Sequence, residues 1–129
     1  MFGMFYTASS FNGDISAWNT ASVTNMAGMF AGATQFNQPI VGWNVAAVQS
    51  MVQMFNQATS FDQDISGWDT GSVTNMYAMF NTASSFNQDL TGWDVALVVD
   101  PNTCAQFATL ATSWVPLLTP VFPIGCGAP

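Results

Sequence analysis

The sequence contains no lysine, arginine or histidine, and its only acidic residues are seven aspartates. Without cations no counterions are released from a phosphate backbone, so nucleic acid is excluded as a partner. Attraction to an anionic membrane surface fails for the same reason. Side-chain salt bridges within the chain are impossible. A Ser-His-Asp set and a lysine-bearing phosphate loop are ruled out, and acid–base chemistry would fall to aspartate or tyrosine alone. The expectation is therefore a non-enzymatic protein with no catalytic residues, no metal and no cofactor. No apolar run approaches the roughly 20 residues of a membrane span. The opening stretch lacks the charged leader and long apolar segment of a signal peptide. Asn-x-Ser/Thr is absent, which argues against N-linked glycans. O-linked sugar stays open, with Thr119 between prolines a candidate acceptor.

What the sequence has is a period. Met4, Met29, Met54 and Met79 are each followed by phenylalanine, at Phe5, Phe30, Phe55 and Phe80. The same 25-residue step links Phe11, Phe36, Phe61 and Phe86, then Ile15, Ile40, Ile65 and Leu90, then Trp18, Trp43, Trp68 and Trp93, and finally Val23, Val48, Val73 and Val98. A fixed period of this size marks stacked units that cannot bury their apolar faces singly. Half of the 129 residues are hydrophobic, enough for one domain with a continuous core.

Within one unit, Val73, Met76, Met79, Phe80 and Ala83 are spaced by three and four. That spacing predicts a short amphipathic helix, with Ser72, like Ser22 in an earlier copy, as its N-cap. Asp89, Leu90 and Thr91 predict a brief strand. Pro39, which stands where other copies have Asp14, Asp64 and Asp89, belongs at that strand's start. The expected fold class is α/β: a β/α solenoid of about four repeats with short parallel strands over 1–100, closed by a cap over 101–129. Asp100-Pro101 opens a further helix, continued by Cys104, Phe107, Ala108, Ala111 and Trp114, with Cys104 in the column of Met29, Met54 and Met79. The proline-rich tail from Val115 is expected to run extended over the last turn.

The two cysteines, Cys104 and Cys126, both lie in the cap. They read either as a disulfide clamping it, and hence an oxidising compartment, or as two buried thiols.

The pattern MF-x-x-A-x-x-FNQDISGWDT-x-SVTNM, nearly whole from Met54 to Met76, resembles the BspA-like leucine-rich-repeat surface proteins. So does the ending, with Asn102-Thr103-Cys104, Trp114, Pro116 and Cys126. The resemblance covers about residues 1–100. It implies a leucine-rich-repeat-like β/α solenoid, secretion or cell-surface display, and a role in adhesion or protein interaction without catalytic residues. Four units are few for that family, and neither a signal peptide nor a wall anchor is recognisable. The chain thus reads as a piece of a longer protein, or as a subunit held by neighbouring copies.

The aspartates fall in columns. Asp14, Asp64 and Asp89 share one; Asp69 and Asp94 share another with Asn19 and Asn44. Stacked carboxylates could bridge calcium, but Pro39 interrupts the first column and asparagine fills half of the second. Capping of local turn amides is the favoured reading. The tryptophan column could stack sugars, yet it recurs with the core columns and reads as buried. The methionines read as core filler. Two functions follow as expectations. The first is an extracellular or cell-surface module for adhesion or protein–protein interaction. The second is a structural subunit of a fibre or sheath, joined head-to-tail through an open first turn at Met1, Phe2, Met4 and Phe5. The partner in either case is a protein or further copies of the chain.

Overall fold

A computed structural model describes residues 1–123 of the chain. The 25-residue units stack as successive coils, joined by a ladder of backbone bonds that runs forward along a turn-rich side, while the N–H groups of Gln35, Gln49, Ser60 and Thr74 donate back to the carbonyls of Ser9, Thr24, Thr34 and Gln49. The N–H groups of Met26, Gly28, Phe30 and Gly32 donate to the carbonyls of Ser50, Val52, Met54 and Asn56 at 2.8–3.0 Å. Met51, Gln53, Phe55 and Gln57 repeat this onto Asn75, Tyr77, Met79 and Asn81. The intervening residues turn back on their own coil: Met29, Ala31 and Ala33 donate to Met26, Gly28 and Phe30. With Ala27 donating to the Asn25 side chain, every amide from Met26 to Ala33 is thereby paired without a helix.

This corrects the expected α/β solenoid. Among the described residues the only helices are two 3-10 turns, Pro101–Thr103 and Pro116–Leu118, and no sheet forms. From Tyr77 to Thr82 the chain is a run of overlapping turns, with Ala78 and Thr82 at φ of 51° and 62°. A left-handed residue every fourth position flattens the chain, so that Met76, Met79, Phe80 and Ala83 face inward while alternate N–H groups are freed for the next coil. Over eight residues that four-residue period cannot be told from the 3.6 of a helix. Ser72 and Ser22 therefore cap nothing. Asn25 and Asn75 instead accept the N–H of Ala27 and Tyr77. The strand expected at Asp89–Thr91 is absent as well. Among the described residues parallel pairing is confined to single bridges joining Asn25 to Ser50 and Ser50 to Asn75. A leucine-rich-repeat description fails with the sheet.

The columns themselves are real and they are the core. Phe30, Phe36, Phe55, Phe61, Phe80 and Phe86 are fully buried. Rings pair within a coil at 4.0 Å (Phe30 with Phe36, Phe55 with Phe61) and stack between coils at 5.4–5.9 Å. Trp43, Trp68 and Trp93 lie beside them, each stapling its coil to the one before. The Nε1–H groups of Trp43, Trp68 and Trp93 donate to the carbonyls of Ile15, Ile40 and Ile65 at 3.1–3.3 Å. A second staple is an amide column. Asn12, Asn37, Asp62 and Asn87 each accept, through Oδ1, the backbone N–H of Asn37, Asp62, Asn87 and Val115 in turn.

The cap continues the stack in a shifted register. The bond from Met76 reaches Thr103, 27 residues on, whereas that from Met26 reaches Ser50, 24 on. The turn Pro101–Thr103 absorbs the difference, with Asp100 accepting the N–H of Asn102. Asp100-Pro101 thus opens a 3-10 turn, and the expected helix does not continue from it to Trp114. Cys104 accordingly succeeds Met76 and not Met79 as the cysteine's sequence column suggested. Trp114 meets Phe80 and Phe86 edge-on at 76° and 83°, ending the parallel ring stacks. The expected disulfide involves Cys126, which lies outside the described residues. The described cap is held by the ladder, these rings and the bond from Leu90 N–H to the Leu118 carbonyl.

Candidate functional site

The inward positions of the coils hardly vary, so any specificity lies in the outward ones. On the turn-rich side, the residues at the non-core positions are Phe2, Gly3, Tyr6 and Thr7 in the first coil and Ala27, Gly28, Ala31 and Gly32 in the second, where the first three are buried between their neighbours. The third coil has Val52, Gln53, Asn56 and Gln57 there. One coil with only alanine and glycine between two with larger side chains makes a trench. Its deeper part is a pit of about 350 Å³ lined by Phe2, Gly3, Tyr6, Ala27, Gly28, Val52 and Gln53. Beside it, sharing Tyr6, is a notch of about 50 Å³ between Thr7, Ala31, Gly32, Asn56 and Gln57. No aspartate lines either. The pit is apolar, with Phe2 and Tyr6 exposed by 75% and 62%. The notch is walled by carboxamides, and the Oδ1 of Asn56 is buried there without a hydrogen-bond partner. Gly28 and Gly32 sit at φ of 63° and 73°, where glycine costs no strain. Gln53 and Gln57 hold the same backbone at 53° and 60°, so glycine is not obligatory at these sites.

The aspartates do local work. Asp14, Asp64 and Asp89 accept the N–H of Ser16, Ser66 and Thr91, and Asn19, Asn44, Asp69 and Asp94 accept that of Ala21, Ala46, Gly71 and Ala96. These are the turn caps favoured from sequence. The hydroxyls of Ser66 and Thr91 also donate, at 2.7 Å, to Asp64 and Asp89. Such bonds favour the charged form. Side-chain and then backbone donation from Ser66 and Thr91 hold Asp64 and Asp89 below the ordinary carboxylate value, and backbone and then side-chain donation from Ser16 do so for Asp14. Among the described residues no group of three metal-ligating side chains converges. Nor does any described helix have the length and apolarity to cross a membrane.

Of Met1, Phe2, Met4 and Phe5 in the first coil, Phe2 and Met4 are exposed and Met1 and Phe5 are partly buried against the core. Met4 is 50% exposed, whereas Met29, Met54 and Met79 are fully buried. Trp43, Trp68 and Trp93 are buried as expected, but Trp18 on the leading face is 38% exposed. The trench escaped the sequence reading. Its signal was present in Ala27-Gly28 and Ala31-Gly32, the only outward set in which every residue is small.

The family described as "Mycoplasma protein of unknown function, DUF285" matches residues 1–93, most of the repeat array. No curated protein and no solved structure matches the chain. On the strength of that match, the chain belongs to this repeat family.

Proposed function

We infer that this member of the repeat family is a non-enzymatic extracellular or cell-surface module that binds other proteins. The observation that carries the reading is the division of labour within each coil. An almost invariant aromatic core supports an outward face that is uncharged along the trench and differs from coil to coil. Core-supported variation of outward positions is how repeat stacks present a binding surface. The resemblance of the repeat to BspA-like surface proteins supports secretion and adhesion as its setting. The lack of histidine, cations and glutamate supports binding over catalysis. The test is interferometry of the immobilised chain against a panel of secreted and cell-surface proteins at physiological salt. Saturable binding that changes when the outward residues of one coil are exchanged for those of another supports the reading. Uniform failure to bind, or binding indifferent to every exchange, refutes it.

A second reading is a structural subunit joined end to end, and the exposure of Met4 and Trp18 on the leading face favours it. That face offers the Phe2, Met4 and Tyr6 carbonyls, whose counterparts at Ala27, Met29 and Ala31 all accept a ladder bond. Sedimentation velocity separates the two. Mass rising with micromolar concentration, and reverting in Met4→Asp, favours the subunit; a constant monomer mass rejects it.

A further inference from the structure

The trench over the second coil asks for an occupant of definite chemistry. Its pit is of the size of small-ligand cavities and is walled by an exposed phenylalanine, a tyrosine and a valine. That composition suits an aromatic or branched aliphatic side chain, which would gain about 25 cal/mol for each Å² of apolar area removed from water. The adjoining notch offers the amides of Gln57 and Asn56 and the Thr7 hydroxyl. The orphaned Asn56 Oδ1 calls for a donor, which a turn of the side chain would present to a main-chain N–H or hydroxyl. Pit and notch lie side by side along one coil, as consecutive same-face residues of an extended chain do at about 7 Å. The chain as a whole carries −7 and no cation, so an acidic segment is repelled and a neutral or basic one is not.

We propose that the trench formed by Phe2 and Tyr6, Ala27, Gly28, Ala31 and Gly32, and Val52, Gln53 and Asn56 docks an extended, non-acidic peptide segment of a protein partner, with one aromatic or branched aliphatic side chain in the pit. The proposal rests on the interaction-module reading and assigns it a site. It also explains why the second coil alone departs from its neighbours: the small residues are the floor.

The repeat supplies its own blocking variant. Ala27→Val, Gly28→Gln and Ala31→Asn give the second coil the residues that the third carries at Val52, Gln53 and Asn56. A Cβ on Gly28 would lie 3.7 Å from the Tyr6 ring, an ordinary contact. Gly32 is kept, because a Cβ there would come within 3.3 Å of the Thr7 backbone. The full chain, labelled with ¹⁵N, is titrated with the blocked heptapeptide Gly-Ser-Thr-Phe-Thr-Ser-Gly, its Phe→Ala form, a form with aspartates flanking the phenylalanine, and maltotriose as a neutral sugar.

The expected result is saturable amide shifts at Gly28, Gly32, Val52 and Gln53 with the phenylalanine peptide, and none with the alanine peptide. The aspartate form should bind more weakly at low salt. The triple variant should lose at least about tenfold in affinity, the scale of a central anchor residue. If that variant does not fold, Tyr6→Ala, which removes an exposed wall, must weaken binding similarly. The proposal is overturned if no peptide gives saturable shifts, if the shifts lie away from the trench, or if maltotriose binds there and the peptides do not. Binding elsewhere that the triple variant leaves intact sinks the trench but spares the module reading; absence of binding in both this titration and the protein panel sinks both.

Discussion

Removing one phenylalanine should cost a different amount in the middle of the stack than at its leading end. Phe55 has no exposed surface and meets Phe30 at 5.5 Å, Phe80 at 5.4 Å and Phe61 at 4.0 Å. Truncating such a ring to alanine typically costs about 3–5 kcal/mol through lost burial and the cavity left behind. With ring neighbours above, below and beside it, Phe55→Ala belongs at the upper end, at about 4–5 kcal/mol. Phe5 keeps Phe11 at 3.8 Å, Trp18 at 5.8 Å and Phe30 at 5.6 Å but stacks on a ring of only one neighbouring coil and is only partly buried. Phe5→Ala should therefore cost about half as much, roughly 2 kcal/mol. For a chain of this size the two correspond to falls in Tm of about 15–20 °C and 6–10 °C. Urea unfolding followed by tryptophan fluorescence and by circular dichroism gives both values. Coincidence of the two probes tests whether the stack melts as one unit. Equal costs at Phe5 and Phe55 would refute the stacking argument, because they would mean that coil-to-coil ring contact contributes nothing.

Three further outcomes follow from the staples and turn caps. Trp68→Phe removes the bond from Nε1 to the Ile40 carbonyl and should cost about 1–2 kcal/mol, whereas Trp18→Phe, with no such bond, should cost little; chemical denaturation compares them. Asn37→Ala strips an acceptor from the Asp62 N–H and the Gln63 side chain and should cost about 1–3 kcal/mol by the same assay. The carboxyls of Asp14, Asp64 and Asp89 are held below the ordinary value in the folded chain. Their contribution is fully present above the unfolded carboxylate value, near 4, and is lost as pH falls through the lowered folded values. Exchanging all three for asparagine, which keeps the turn acceptors, should leave a shallower acid limb in a plot of Tm against pH; an unchanged limb would deny the caps that role.

The repeat, its core columns and the turn-capping role of Asp64 and its counterparts were legible in the sequence, because a 25-residue period with no insertion leaves little freedom over which residues share an environment. The conformation joining them was not. Met76, Met79, Phe80 and Ala83 satisfy a helical spacing and a four-residue turn spacing equally well. The decisive clue was local: Gly28 and Gly32 four apart, and threonine at the matching Thr82, are poor helix interior residues but sit where the chain turns left-handed. The strand failed for a related reason. One inward residue, Leu90, between two turns has no periodicity by which to declare itself. Register in the cap was misread because Cys104 lies 25 residues after Met79 in number, while the turn at Pro101–Thr103 moves it to follow Met76 in space. The trench is a property of three coils together, invisible to a reading that takes the units one at a time.

The central claim is that coils are joined along their turn-rich side by backbone bonds reaching 24 residues ahead, in place of helix and sheet. Hydrogen-bond scalar couplings measured by NMR on the isotope-labelled chain test it directly. The account predicts couplings from the amide nitrogens of Gly28, Phe30 and Gln53 to the carbonyl carbons of Val52, Met54 and Tyr77, with Cα shifts over 72–83 that are not helical. Couplings from those amides to carbonyls four residues back, with helical shifts over the same stretch, would contradict it.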